Sequence, residues 1–200
     1  MKDRSMKPYT VIFPTGMAGS FFIYFIACHK EFLGPGLLEL DSQHPYYKNI
    51  KHINLHTDLT LEPNNWITDE GFRNRLNHYK NEYPKKKLVC KIRPHYYDIS
   101  EFLQNLALLN VIVLYTSKVF ELYNALNRMD IYQKEKSNID NFNSSLFDTL
   151  SDNTNTIFIC PYKILVDKND KEYKLLCDWL NVEPLTNWKD IIQDYMDLVA

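Results

Sequence analysis

Residues 9–28, YTVIFPTGMAGSFFIYFIAC, are the strongest indication in this chain of the fold that we expect. Residues 9–13 are β-branched or aromatic and favour a strand, whereas residues 21–28 form an apolar run long enough for about two turns of buried helix. Between them, Gly16 and Gly19 permit a positive φ and the close approach of a ligand. The pattern therefore predicts a strand, a glycine loop and the start of a helix.

The glycine loop, residues 14–20 (PTGMAGS), has the chemistry of a site for phosphate or sulfate. Several backbone N–H groups and the positive end of a helix dipole converge on one place in such a loop. Ser20 can cap the helix or donate its hydroxyl to the anion. No lysine precedes Ser20, which argues against an ordinary ATP-hydrolysing P-loop of the form G-x-x-x-x-G-K-[ST]. The alternative is a tight turn that binds no ligand.

A targeting segment is a second alternative for the same stretch. No charged residue lies between Pro8 and Cys28, and three basic residues precede it: Lys2, Arg4 and Lys7. This arrangement also occurs in signal peptides. One proline and two glycines interrupt the apolar run at its middle, however, so we favour the strand, loop and helix.

Length and composition indicate one globular domain over residues 1–200. An apolar fraction of 45% excludes a disordered chain. The net charge of −2 provides no basic field that would recruit nucleic acid or an anionic membrane. We therefore expect neither partner, and any anion site must be local.

The cysteines are widely spaced and form no C-x-x-C pair (Cys28, Cys90, Cys160 and Cys177). This spacing favours buried, reduced thiols rather than zinc ligands or disulfides. We accordingly expect a reducing, cytoplasmic location and no metal site.

Apolar strands and amphipathic helices alternate along the rest of the chain. Strands are predicted at 52–56, 88–92, 111–115 and 156–160, and helices at 68–83, after Asp98, from Ser117 through Met129, and twice near the C-terminus. Such alternation predicts an α/β fold with three layers and a central parallel sheet. The polar segment 128–145 is interpreted as a surface loop, with a mobile lid over a ligand as the alternative.

Three basic residues stand at alternate positions where the strand at residue 88 ends: Lys91, Arg93 and His95. Alternation places them on one side of an extended chain, and Pro94 keeps Arg93 out of the helical region. Ligands of parallel sheets bind beyond the carboxyl ends of the strands, so His95 is a candidate general base close to the glycine loop. His56 with Asp58 is a second candidate base without a basic neighbour.

Taken together and in order, three stretches resemble the sulfotransferase family. Residues 14–22, PTGMAGSFF, are similar to the family's loop P-x-[KR]-[ST]-G-[ST]-[ST], and Arg93-Pro94-His95 is similar to its Lys-Thr-His. Residues 160–166, CPYKILV, followed by LCDWLNV at 176–182, are similar to a late family strand, Y-E-x-L, and a helix end, F-L-G-V. The resemblance implies a domain related to the P-loop kinases.

The resemblance also implies an activity, the transfer of a sulfuryl group from 3′-phosphoadenosine 5′-phosphosulfate to a hydroxyl of a small molecule or carbohydrate. It implies that His95 takes the acceptor's proton and that Arg93 stabilises the transferred oxygens. The donor would be held by Thr15, Gly16, Met17, Ala18, Gly19 and Ser20 at its 5′-phosphosulfate, and by Thr116 and Asn124 at its 3′-phosphate. No metal is implied.

The chain departs from the family pattern where the family has charged groups. Met17 takes the place of the loop lysine or arginine, and Thr116 and Asn124 take the places of an arginine and a serine. A non-catalytic relative that binds a ligand or partner is therefore the alternative function. A nucleotide-binding relative of the wider P-loop class is a third, but it needs a lysine near Ser20 and an acidic magnesium ligand, neither of which is evident.

Overall fold

The computed structural model of the protein describes residues 7–35, 55–56, 81, 84–92, 109–142, 150 and 155–199. Within these ranges the strands are β1 (Tyr9–Ile12), β2 (Phe32–Pro35), β3 (Leu55–His56), β4 (Lys87–Ile92), β5 (Asn110–Leu114) and β6 (Thr156–Ile159). The helices are α1 (Gly19–Ala27), α2 (Val119–Ala125), α3 (Met129–Asn141), α4 (Pro161–Leu165), α5 (Asp170–Leu180) and α6 (Trp188–Val199).

The strands form one sheet in the order β3-β2-β4-β1-β5-β6, and each neighbouring pair is parallel. This confirms the predicted α/β class with a parallel sheet. From β1 the chain continues towards the β3 edge, whereas from β5 it continues towards β6. The strand order therefore reverses beside β1, and such a reversal opens a crevice at the carboxyl ends of the strands. The loop after β1 lies at that place.

Both faces of the sheet are covered. Every residue of β1 and of β5 is buried, and successive strand residues point to opposite faces. On one face Val11, Ile112 and Ile159 belong to the same core as helices α1, α5 and α6. Helix α1 is apolar on all sides, so nearly its whole surface is buried. This packing holds the start of α1 in place.

Aromatic rings connect α1 to the C-terminal helices. Phe21 stacks on Tyr195 of α6 with ring centroids 4.0 Å apart, and Phe25 packs against Tyr173 of α5 at 5.4 Å. The two C-terminal helices bury the apolar faces that their spacing predicts, in α5 as Tyr173, Leu176, Cys177 and Leu180 and in α6 as Trp188, Ile192 and Tyr195.

The structure differs from the sequence prediction between residues 117 and 145. The helix expected from Ser117 through Met129 is divided, because Asn127 adopts a left-handed φ of 52° between α2 and α3. Lys118, not Ser117, is the N-cap residue of α2. Much of the polar segment 128–145, expected to be a loop, is helix α3, which buries Ile139 and carries an ion pair of Lys136 with Asp140 at 2.5 Å.

Residues 160–166, the stretch that resembles a late strand of the sulfotransferase family, contain helix α4 in the structure. Pro161 occupies the first helical position, where its missing N–H costs no hydrogen bond. The N–H of Cys160 donates to Glu172 Oε1 of α5 at 2.7 Å and fixes this turn. Strand β2 was not predicted, because its Gly34 and Pro35 are typical of turns. The helices expected at 68–83 and after Asp98 lie largely outside the described residues.

Candidate anion-binding loop

The glycine loop turns sharply between β1 and α1. Gly16 has a φ of 87°, and Ala18, the N-cap residue of α1, has a φ of 59° and a ψ of 20°. The N–H of Met17 donates to the carbonyl of Pro14 at 3.2 Å and closes the turn. The N–H of Phe22 donates to Ala18 O at 3.1 Å where α1 begins.

Two glycines are required by close contacts. A Cβ atom at Gly19 would lie 2.1 Å from the ring of Phe13, and one at Gly16 would lie 2.7 Å from Cε1 of Tyr123. The loop is therefore packed against Phe13, which directly follows β1, on one side and against Tyr123 of α2 on the other. The positive φ of Gly16 adds a second reason for glycine at that position.

Two carbonyl oxygens of the loop accept hydrogen bonds from side chains. The hydroxyl of Tyr123 donates to Thr15 O, and Nη1 of Arg128 donates to Gly16 O at 3.0 Å. Burial raises the pKa of the Tyr123 phenol, so this hydroxyl keeps its proton as a donor. The Thr15 and Gly16 carbonyls are thus both held by groups from the α2 and α3 region.

The remaining loop residues differ in exposure. Met17 is fully buried in the core (0% exposed), so it contributes neither charge nor a polar group to the surface. Ala18 and Gly19 are also buried, whereas Thr15, Gly16 and Ser20 are half-buried. Ser20 is consequently the predicted side-chain ligand that stands in the first turn of α1 with access to solvent.

Thr116 and Asn124, the residues assigned to the 3′-phosphate, have different surroundings. Thr116 is 2% exposed, and its hydroxyl accepts the Lys118 N–H at 3.1 Å and lies 3.5 Å from Cys160 Sγ. Asn124 is exposed on α2. Thr116 follows β5, a neighbour of β1, and therefore stands at the same rim as the loop. The Thr116 hydroxyl is already hydrogen-bonded within the protein.

The strand order gives the distance from the glycine loop to the strands that lead to the candidate bases, β4 and β3. Ile92, the last residue of β4, pairs with Ile12 of β1, so the chain leaves β4 beside the glycine loop; Arg93 and His95 themselves lie outside the described residues. His56 ends β3, which is three strand positions from β1. That separation is about 14 Å across a sheet, which places the alternative base far from the loop.

Two residues at the loop were not assigned to the site by sequence reasoning, Tyr123 and Arg128. Tyr123 belongs to the apolar stripe of a helix, and Arg128 opens a polar segment. Both contact loop residues more than a hundred positions earlier in the chain.

The described ranges contain no group of three histidine, cysteine, aspartate or glutamate side chains placed to hold a metal ion. Among the described helices, none combines the length and the apolar character needed to cross a lipid bilayer. No protein-family model, no curated protein and no solved structure matches the chain.

Proposed function

We propose that loop 14–20 binds the phosphosulfate group of 3′-phosphoadenosine 5′-phosphosulfate and that the protein transfers the sulfuryl group to a hydroxyl of a small molecule or carbohydrate. The observation that carries the proposal is the loop itself. It joins a central parallel strand to the N-terminus of α1 where the strand order reverses, and its Thr15 and Gly16 carbonyls are hydrogen-bonded to side chains. Strand β1, this loop and helix α1 together also support a more specific fold, a P-loop or sulfotransferase-like domain.

The proposed reaction needs positioning and charge stabilisation more than covalent chemistry. The acceptor oxygen forms a bond to sulfur while the bond from sulfur to the bridging phosphate oxygen breaks. His95 takes the proton of the acceptor hydroxyl. Arg93 and the N–H groups at the start of α1 stabilise the charge on the transferred and leaving oxygens, and Ser20 donates to the phosphate.

A non-catalytic relative is the second candidate function, and a specific observation favours it. Met17 is fully buried where the family has a loop cation, and the hydroxyl of Thr116 is engaged by Lys118 N–H. Such a protein would bind a phosphate-bearing ligand at the same loop without transferring a group. The two candidates therefore share a ligand site and differ in turnover.

Calorimetric titration with adenosine 3′,5′-bisphosphate, the product nucleotide, tests the shared site. We expect micromolar binding to the wild-type protein and roughly fivefold weaker binding to Ser20→Ala, the effect of one hydrogen bond. Ser137→Ala is the matched control, because Ser137 is an exposed serine on helix α3. Absence of binding at millimolar nucleotide would overturn the sulfotransferase proposal and would exclude this nucleotide as the ligand of a non-catalytic relative.

Turnover separates the two candidates. Incubation with the sulfated donor and a panel of phenolic and sugar hydroxyls should release the bisphosphate if the protein is a sulfotransferase. Replacement of His95 by alanine should then abolish release while leaving bisphosphate binding unchanged. Binding without release from any member of the panel would favour the non-catalytic relative.

A further inference from the structure

Arg128 connects three parts of the molecule at the loop. Its Nη1 donates to Gly16 O at 3.0 Å and its Nη2 donates to the hydroxyl of Tyr195 at 3.3 Å. The residue follows the left-handed Asn127, and its own N–H donates to Tyr123 O at 2.9 Å. The side chain is therefore directed at the loop by a fixed backbone turn between α2 and α3.

The guanidinium of Arg128 brings a positive charge to this place. In the part of the chain that the structure describes, no carboxylate forms an ion pair with it. The residue is half-buried, and charges in such positions are screened less than those on an open surface. A guanidinium has five N–H donors in a planar fork, of which the two described contacts use two.

The carbonyls that Arg128 and Tyr123 hold are the groups that would repel an anion. A carbonyl oxygen carries partial negative charge, whereas the N–H groups of a nest attract anions. With Thr15 O bonded to Tyr123 and Gly16 O bonded to Arg128, both oxygens are directed to the α2 and α3 side. The loop is thereby held in one orientation before any ligand arrives.

We infer that Arg128 is a positioning residue for the anion loop, which it holds through the Gly16 carbonyl while supplying the positive charge that Met17 does not. The identity of the ligand in this role rests on the proposed function. The hydrogen bond from Arg128 to Gly16 O that positions the loop is present without a ligand. Arg128 is the N-cap residue of α3, so the charge reaches the loop from the start of that helix and not from within the loop, where the sulfotransferase family has its cation.

The test compares Arg128→Gln, which removes the charge, and Arg128→Lys, which keeps it, with Lys134→Gln as control. Lys134 is exposed on helix α3, which Arg128 precedes as its N-cap residue, and its substitution removes the same charge. Two properties are measured: affinity for adenosine 3′,5′-bisphosphate at low and high salt, and hydrogen exchange of residues 14–21 without ligand. The exchange measurement reports on the loop even if a variant loses some stability.

We expect Arg128→Gln to bind the bisphosphate roughly tenfold more weakly, as loss of one charge-assisted hydrogen bond predicts. Arg128→Lys should recover part of the affinity, and the difference should shrink at high salt. Exchange of residues 14–21 should rise in Arg128→Gln and stay unchanged in Lys134→Gln.

If the wild-type protein binds the bisphosphate and Arg128→Gln binds it as tightly as Lys134→Gln does, the inference is overturned and the proposed function stays intact. Unchanged exchange of residues 14–21 in Arg128→Gln would also overturn it. Failure of the wild-type protein to bind the bisphosphate would overturn the proposed function instead, and increased loop exchange in Arg128→Gln would still support the hold on Gly16.

Discussion

Gly19 is the residue on which the close approach of the loop to β1 depends. A methyl group there would lie 2.1 Å from the ring of Phe13, which is itself buried. Gly19→Ala should therefore lower the free energy of unfolding by about 2 kcal/mol or more, the cost of overpacking a tight core. Urea denaturation measures this effect.

Ser20→Ala is the control for that substitution, because it changes the next residue along without adding an atom. We expect it to cost less than about 1 kcal/mol of stability. If Gly19→Ala were as stable as Ser20→Ala, Phe13 would have room to move, and the tight loop described here would be wrong.

His29 gives the fold a dependence on pH. It is 3% exposed, with Nε2 3.4 Å from the hydroxyl of Tyr173. Burial is the main reason that the pKa of His29 lies below its usual 6.5; nearby Lys87 also lowers the pKa, whereas Glu31 and a hydrogen bond with the Glu183 backbone partly oppose the shift. The neutral ring is therefore the form that the folded protein prefers.

Because the pKa of His29 is lower in the folded state, the unfolded state binds more protons as the pH falls below about 6.5. The contribution of His29 to the free energy of unfolding should be constant above that pH and should decline below it. His29→Gln should weaken this decline, as urea midpoints measured across the range would show. Parallel pH profiles for the two proteins would contradict the assignment to His29.

At the scale of elements, helix α5 begins with a side-chain cap. Oδ1 of Asn169 accepts the N–H groups of Lys171 and Glu172 at 3.0 and 3.1 Å. Asn169→Ala should cost about 1 kcal/mol of stability, because two orphan N–H groups lose their acceptor. Asn169→Asp keeps the acceptor and should remain close to wild type. Equal losses in both variants, measured by thermal unfolding, would argue against capping.

Sequence reasoning succeeded for elements whose pattern is local. Residues 9–13, 111–115 and 156–160 are apolar runs that coincide with β1, β5 and β6 to within a residue. Helix α3 was not predicted, because most of its residues are polar and the few that pack in the core, such as Ile139, form no clear apolar pattern in the sequence. Strand β2 was not predicted, because Gly34 and Pro35 are typical of turns and the pairing with β3 and β4 comes from distant segments.

At the scale of the whole molecule, the candidate site combines a local motif with distant contacts. The loop was visible in the sequence because strand, glycines and helix follow one another within residues 9–28. Arg128 was not assigned, because Gly16 lies 112 residues and Tyr195 67 residues away along the chain. Only the folded arrangement brings the guanidinium of Arg128 to this loop, in which Met17 is buried.

We propose that loop 14–20 binds a phosphate-bearing nucleotide through its backbone N–H groups. Titration of the ¹⁵N-labelled protein with adenosine 3′,5′-bisphosphate, followed by amide NMR shifts, measures this directly. We expect saturable shifts that are largest at Gly16, Gly19 and Ser20 and small along helix α5. Shifts that are absent at the loop, or that concentrate elsewhere while the loop amides stay unchanged, would contradict it.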